Sequence, residues 1–115
     1  MNVVTADIAL AGPPPLAIDA ALTTEWLVAF LREEFARRRF ATAIVGVSGG
    51  VDSAVTAFLA ARALGKDNVI AVRMPYRTSS PQSLEHAELV IDQLGLQTRT
   101  VDISGAVDAY LANEP

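Results

Sequence analysis

Residues 43–47 read Ala-Ile-Val-Gly-Val and run without a break into Ser48-Gly49-Gly50-Val51-Asp52-Ser53, after which apolar residues recur at helical spacing. A β-branched run, a glycine turn and a helix in direct succession constrain this chain more than any other feature. A short apolar run without alternation is the pattern of a strand buried on both faces of a parallel sheet. Two parallel strands cannot be joined by a tight turn, so a strand that passes at once into a helix reads as the start of a crossover unit. Glycines at the junction let backbone N–H groups approach an anion closely, and the helix N-terminus behind them adds partial positive charge. The sequence therefore predicts a phosphate cradle at residues 46–53.

The remaining segments fit the same architecture. Leu22, Trp26, Leu27, Phe30 and Leu31 recur at helical spacing after a cap at Thr23 or Thr24, with Arg32, Glu33 and Glu34 on the other face. Arg37, Arg38 and Arg39 close that helix as a solvated end whose cations complement the dipole of a last turn. Beyond the glycine turn, Val55, Phe58, Leu59 and Leu64 mark the buried side of a helix over 52–64 that Gly65 stops. Residues 68–74 read as a second buried strand. Ser80 caps the next helix, Pro81 occupies its first turn, and Leu84, Ala87, Ile91 and Leu94 line one face up to Gly95. Residues 97–103 read as a third strand, and Ser104 caps a last short helix holding Val107, Tyr110 and Leu111. The order β-α-β-α-β-α with right-handed crossovers predicts an α/β fold built on a doubly wound parallel sheet.

Composition bounds the rest. A chain of 115 residues holds one domain or part of one. Residues 1–18, with Pro13, Pro14 and Pro15, form a proline-containing lead, and 19–115 carry the domain. Thirteen acidic residues against nine basic ones give a net charge of −4, so no basic face is available for nucleic acid. Cysteine is absent, which excludes disulfides, thiolate metal sites and a cysteine nucleophile. The first 22 residues lack the basic start and unbroken apolar run of a signal peptide. No stretch reaches the roughly 20 apolar residues of a membrane span. A cytoplasmic protein without a membrane partner is expected. His86 stands among polar neighbours and reads as a surface residue.

The loop is neither a Walker A loop, which would end Gly-Lys-Ser/Thr, nor a spaced-glycine dinucleotide fingerprint. Ser48 and Ser53 flank the glycines and can donate to phosphate oxygens. A carboxylate beside a polyphosphate is repulsive unless a cation lies between them, so Asp52 either implies Mg²⁺ or simply suits a helix first turn.

Ser48-Gly49-Gly50-Val51-Asp52-Ser53 resembles the signature loop of the PP-loop ATP pyrophosphatases, among them NAD synthetases, GMP synthetases, asparagine synthetases and tRNA-thiolating enzymes. Val72-Arg73-Met74-Pro75-Tyr76-Arg77-Thr78-Ser79-Ser80-Pro81, then Gln82-Ser83-Leu84-Glu85, then Asp102-Ile103-Ser104 with Val107-Asp108-Ala109-Tyr110 narrow the resemblance to NAD synthetase over roughly residues 19–112. The resemblance implies a Rossmann-like, three-layer fold of the adenine nucleotide alpha hydrolase type. It also implies a ligase in which the carboxylate of deamido-NAD attacks the α-phosphorus of ATP, pyrophosphate leaves, and ammonia displaces AMP from the acyl adenylate to give NAD. Carried over position by position, Gly46, Val47, Ser48, Gly49, Gly50, Val51, Asp52 and Ser53 would hold ATP, Asp52 would bind Mg²⁺, and Arg73 would lie beside the nucleotide. Arg77 and Ser79 are further contacts on the same basis. Ammonia is the implied nitrogen donor, since no cysteine-bearing amidase segment precedes the loop, and the family implies a homodimer.

The family's sheet is longer than this chain, so the chain is expected to hold the N-terminal part, about three strands of a 3-2-1-4-5 order. The first strand would then have one open edge, and the chain by itself would be inactive and prone to self-association. Two other functions remain: another PP-loop ligase, GMP synthetase-like or sulfur-transferring, or a nucleotide-binding module without catalysis.

Overall fold

The computed structural model describes residues 17–114. The first helix, α1, spans Ala20–Arg38. It starts earlier than the threonines suggest. Asp19 is the cap, its Oδ1 accepting the Leu22 N–H at 3.1 Å, while Thr24 lies inside the helix and donates its hydroxyl to the Ala20 carbonyl at 2.7 Å. Asp caps as well as Ser or Thr, and Ala20 and Ala21 are the best helix formers available, so the earlier start prevails. The arginine-rich end is solvated as expected: Arg37 and Arg38 both pair with Glu34 one turn back.

Three strands follow, β1 Ala43–Gly46, β2 Val69–Arg73 and β3 Gln97–Thr100. Between and after them lie α2 Val51–Leu64, α3 Pro81–Leu94 and α4 Ser104–Ala112. The sheet is parallel in the order β1-β2-β3. Ala43 stands opposite Val69 and Gly46 opposite Val72, while Ile70 stands opposite Gln97 and Arg73 opposite Thr100. This is the predicted open α/β sheet with flanking helices, and its neighbours match the first three members of the expected order. Among the described residues β1 pairs on one side only.

Right-handed crossovers in one direction place both connecting helices on the same sheet face. The core accordingly joins Val45, Val47, Val69 and Ala71 of the strands to Ala57 and Ala60 of α2 and to Ala87 and Ile91 of α3. The opposite face is open near β1, where Ile44 is 72% exposed, so burial of this strand on both faces is not found. On α2 the buried residues are Ala57, Ala60 and Ala63, whereas Val55 and Phe58, read as the core side, are exposed. Small side chains let a helix axis approach a sheet closely, and that approach decides the face. On α1 only Val28 is buried, with Leu27 and Leu31 half-buried. Trp26 and Phe30 stack on each other with centroids 5.6 Å apart on the exposed side. Arg32, read on the face opposite the apolar stripe, is exposed and reaches over to donate to the carbonyls of Ala63 and Arg62 at 3.1 Å each. It thereby satisfies the orphan acceptors at the C-terminus of α2.

The α3 boundaries are as read: Ser80 accepts from the Ser83 N–H, Pro81 opens the helix, and Gly95 ends it in the left-handed conformation. The third strand is shorter than expected. Ladder-type bonds still run on beyond it, from Val101 N–H to the Arg73 carbonyl at 2.8 Å and from Ile103 N–H to the Pro75 carbonyl at 3.0 Å. Ser104 is the first residue of α4, and Ile103 takes the cap position without a side-chain bond.

Candidate functional site

At the carboxyl end of β1 the chain turns through residues 46–50 into α2. Gly50 is the cap residue of α2 and supplies no side-chain cap, so the first N–H groups inside the helix remain available to a ligand. The two hydroxyls close the loop on itself. Ser53 Oγ donates to the Gly50 carbonyl at 3.3 Å and accepts the Ser48 N–H at 3.1 Å. Having used its one proton, it accepts from Ser48 Oγ at 3.1 Å, and Ser48 Oγ accepts the Gly50 N–H at 3.3 Å. This chain of bonds fixes the loop before any ligand arrives.

Gly49 has φ +89°, and a Cβ there would lie 2.3 Å from the Ser83 carbonyl oxygen. The loop is thus wedged against the first turn of α3. Gly50 differs: a Cβ would meet only Ser48 Oγ, at an ordinary 3.5 Å.

A cleft of about 260 Å³ opens above the carboxyl ends of β1 and β2, lined by Gly46, Val47, Ser48, Arg73, Met74, Pro75, Ser79, Ser80, Ser83, Leu84 and Ala87. Five of the sequence-predicted residues meet there: Gly46, Val47, Ser48, Arg73 and Ser79. Gly49, Gly50, Val51, Asp52 and Ser53 continue the loop outside the cleft lining, with Asp52 exposed on the first turn of α2. Arg73 Nη2 donates to Thr100 Oγ1 at 3.0 Å, and Arg73 Nε is buried without a hydrogen-bond partner. A buried donor left unpaired is costly, and Arg73 is one of the residues that line the cleft. Ser79 lines the cleft and Arg77 does not; Arg77 forms an ion pair with Asp108 of α4. His86 is exposed, as read.

Sequence reasoning missed the far wall, Met74, Ser80, Ser83, Leu84 and Ala87. The signal was present in their place just after β2 and in the first turns of α3, where an open α/β sheet gathers its ligand-binding groups.

Beside this wall, Asp102 Oδ1 accepts the Ser104 N–H at 2.8 Å. The Ser104 hydroxyl, the Ser104 N–H and the nearby Arg77 charge hold the Asp102 carboxyl below the usual aspartate range. A lowered folded-state pKa means that the contribution is fully present above the ordinary aspartate pKa and is lost as pH falls through the lowered value. The Ser104 amide resonance should therefore stay constant from neutral pH down to the ordinary aspartate range and shift only below it. An NMR titration midpoint at or above that range would sink the assignment.

Among the described residues no helix is long and apolar enough to cross a membrane, and no group of three or more His, Cys, Asp or Glu side chains is placed to hold a metal.

The sequence profile of NAD synthase matches residues 23–114. The NH3-dependent NAD+ synthetase of Chlorobaculum parvum is 47% identical over 103 residues, covering 90% of this chain and 37% of the relative. The NH3-dependent NAD synthetase of Campylobacter jejuni, solved with nitrate, superposes with a TM-score of 0.78 at 34% identity over 85% of this chain and 42% of its own. The glutamine-dependent NAD+ synthetase of Acinetobacter baumannii, solved with ADP, gives a TM-score of 0.78 at 32% identity, covering 87% of this chain and 19% of that one. The chain thus spans little more than a third of the length of the curated relative.

Proposed function

This chain belongs to the NAD synthase family, and from that membership we propose that it supplies the ATP-binding part of an ammonia-dependent ligase that converts deamido-NAD to NAD. The observation that carries the proposal is the cradle itself: an uncapped helix N-terminus behind a pre-formed glycine loop, opening beside a cleft that holds a buried, unpaired arginine donor. At about 260 Å³ the cleft is smaller than the ~300–1,000 Å³ usual for a whole drug-sized ligand. It suits part of the nucleotide, with the triphosphate following residues 46–53 out to the start of α2.

In the first step the substrate carboxylate attacks the α-phosphorus of ATP, the bond from that phosphorus to the α,β-bridging oxygen breaks, and pyrophosphate carries away the charge. The backbone N–H groups of Gly49 and Val51, which the loop's own bonds leave unused, and Arg73 would hold the phosphate oxygens as that charge develops, a pre-organised electrostatic stabilisation that costs no rearrangement during reaction. Ammonia then displaces AMP from the acyl adenylate. Asp52 is exposed beside the loop, and among the described residues no group of three or more His, Cys, Asp or Glu side chains is placed to hold a metal. The Asp52 carboxylate is a hard oxygen donor of the kind that would hold a Mg²⁺ ion beside the phosphates. Bound there, the ion would neutralise phosphate charge; Asp52 would fix its place at the head of α2. A cytoplasmic setting follows from the demand for ATP.

Gly50→Val tests the cradle without disturbing the fold, because Gly50 has room for a Cβ and a φ of −86°. The new side chain should block backbone approach to phosphate and weaken Mg-ATP binding about 30-fold, equivalent to ~2 kcal/mol. Calorimetry showing the parent affinity in this variant would overturn the ATP assignment.

A further inference from the structure

Residues 75–80 connect β2 to α3 and form the outer wall of the cleft through Pro75, Ser79 and Ser80. A connection of this kind is ordinarily mobile and would lose conformational freedom when a ligand binds. Here it is tied to α4 by bonds that never touch the cleft. The Tyr76 hydroxyl donates to Asp108 Oδ1 at 2.7 Å, and the Arg77 guanidinium pairs with the other oxygen, Asp108 Oδ2. Arg77 also lies over the Tyr76 ring, 5.7 Å from its centre. Its backbone N–H donates to Ser104 Oγ at 2.9 Å. Inside the segment, the Tyr76 N–H donates to Ser79 Oγ at 2.9 Å and the Ser79 N–H to the Tyr76 carbonyl at 2.8 Å.

One carboxylate therefore grips two successive residues of the wall, one through each oxygen, and so fixes both its position and its direction. Tyr76, Arg77 and Asp108 do not line the cleft, so any effect they have on a ligand passes through Pro75, Ser79 and Ser80. The same grip keeps the Arg77 cation directed at Asp108, so that among the described residues Arg73 is the only arginine lining the cleft. The segment leads into the first turn of α3, which is what Gly49 rests against.

We propose that Asp108 is a positioning residue for the cleft: from α4 it holds residues 75–80 in the ligand-ready geometry, so that binding does not have to order them. The proposal rests on the ATP reading above for its ligand, while the state of the wall is measurable without one.

The test has two arms. In amide hydrogen exchange without nucleotide, Asp108→Ala should remove protection at Arg77 and Ser79 and leave β1 and β2 protected. In calorimetry with Mg-ATP, Asp108→Ala should weaken binding ~10-fold and Tyr76→Phe ~3-fold, the scale of one or two lost hydrogen bonds. The double variant should stay near ~10-fold and not reach the ~30-fold of independent sites. Asp108→Asn, which keeps an acceptor for the Tyr76 hydroxyl, should recover part of the affinity. A merely structural role would lower the thermal midpoint of all variants and give no such non-additivity or partial rescue. Unchanged exchange at Arg77 and Ser79 overturns the tether. Lost protection with parent-like ATP affinity overturns the positioning role. A parent protein that binds no Mg-ATP overturns the ATP reading and this role with it, and the exchange arm then still reports whether Asp108 tethers the wall. If Asp108→Ala fails to fold, Tyr76→Phe and Asp108→Asn carry both arms.

Discussion

Gly49→Ala is expected to destabilise the protein by about 3 kcal/mol or more and to abolish nucleotide binding with it. Two independent costs meet at this residue. Its φ of +89° is a region that side-chain-bearing residues enter at ~1–2 kcal/mol. The added methyl would also lie 2.3 Å from the Ser83 carbonyl oxygen and 3.0 Å from its carbon. Those atoms are backbone in the first turn of a capped helix and cannot swing aside as a side chain would, so relief requires moving α3 or reshaping the loop, at a further ~1–3 kcal/mol. Gly50→Ala, one residue on, meets only Ser48 Oγ at 3.5 Å and should leave stability nearly unchanged. Urea unfolding of the two variants side by side measures the difference. A Gly49→Ala midpoint equal to that of the parent would mean that the loop does not rest on α3.

The elements legible in the sequence are those whose signals are local. Ser80, Pro81 and Gly95 bound α3 because a cap, a first-turn proline and a left-handed glycine each act on their own few residues. The strand, glycine turn and helix at residues 43–64 were legible for the same reason, whereas the sheet order was implied by the family resemblance, since right-handed crossovers fix the hand of each connection and not which strands are neighbours. Burial was less legible. Leu22, Trp26 and Phe30 lie one turn apart, yet they are 62%, 64% and 45% exposed, and the adjoining side of α1 faces α2. Periodicity reports that a helix carries an apolar stripe; it does not report which stripe a neighbouring element covers. Ile44 makes the same point for β1, where the covered face is decided by α2 and α3 and not by the strand's own composition.

The site divides along the same line. The glycine loop is a contiguous run whose chemistry is written in order, so Gly46, Val47 and Ser48, which line the cleft, could be read as candidates from the sequence. The far wall, Ser83, Leu84 and Ala87, is brought to the loop by the docking of α3, which no spacing in the sequence announces. Arg73 and Arg77 are four residues apart and look equivalent in a sequence. The structure separates them through residues far along the chain: Thr100 takes one guanidinium and Asp108 the other.

The packing of α2 offers the sharpest quantitative check on this division. Ala57, Ala60 and Ala63 recur every third residue and are 0%, 7% and 9% exposed, a ridge of small side chains that seats the helix among its neighbours. Ala57→Leu adds three carbons where no surface is open. Proteins pack their interiors as densely as organic crystals, so the extra volume has to push α2 outward or force a poor rotamer, at about 3 kcal/mol. Val55, by contrast, is 49% exposed. Val55→Ala gives up little buried area and gains helix propensity of a few tenths of a kcal/mol, so its net effect should fall within about 0.5 kcal/mol of zero. The hydrophobic pattern alone gives the opposite ranking, since it places Val55 in the core and treats Ala57 as a neutral surface position. Chemical denaturation of the two variants decides between them. A tolerated Ala57→Leu beside a costly Val55→Ala would mean that α2 presents its other face to the sheet.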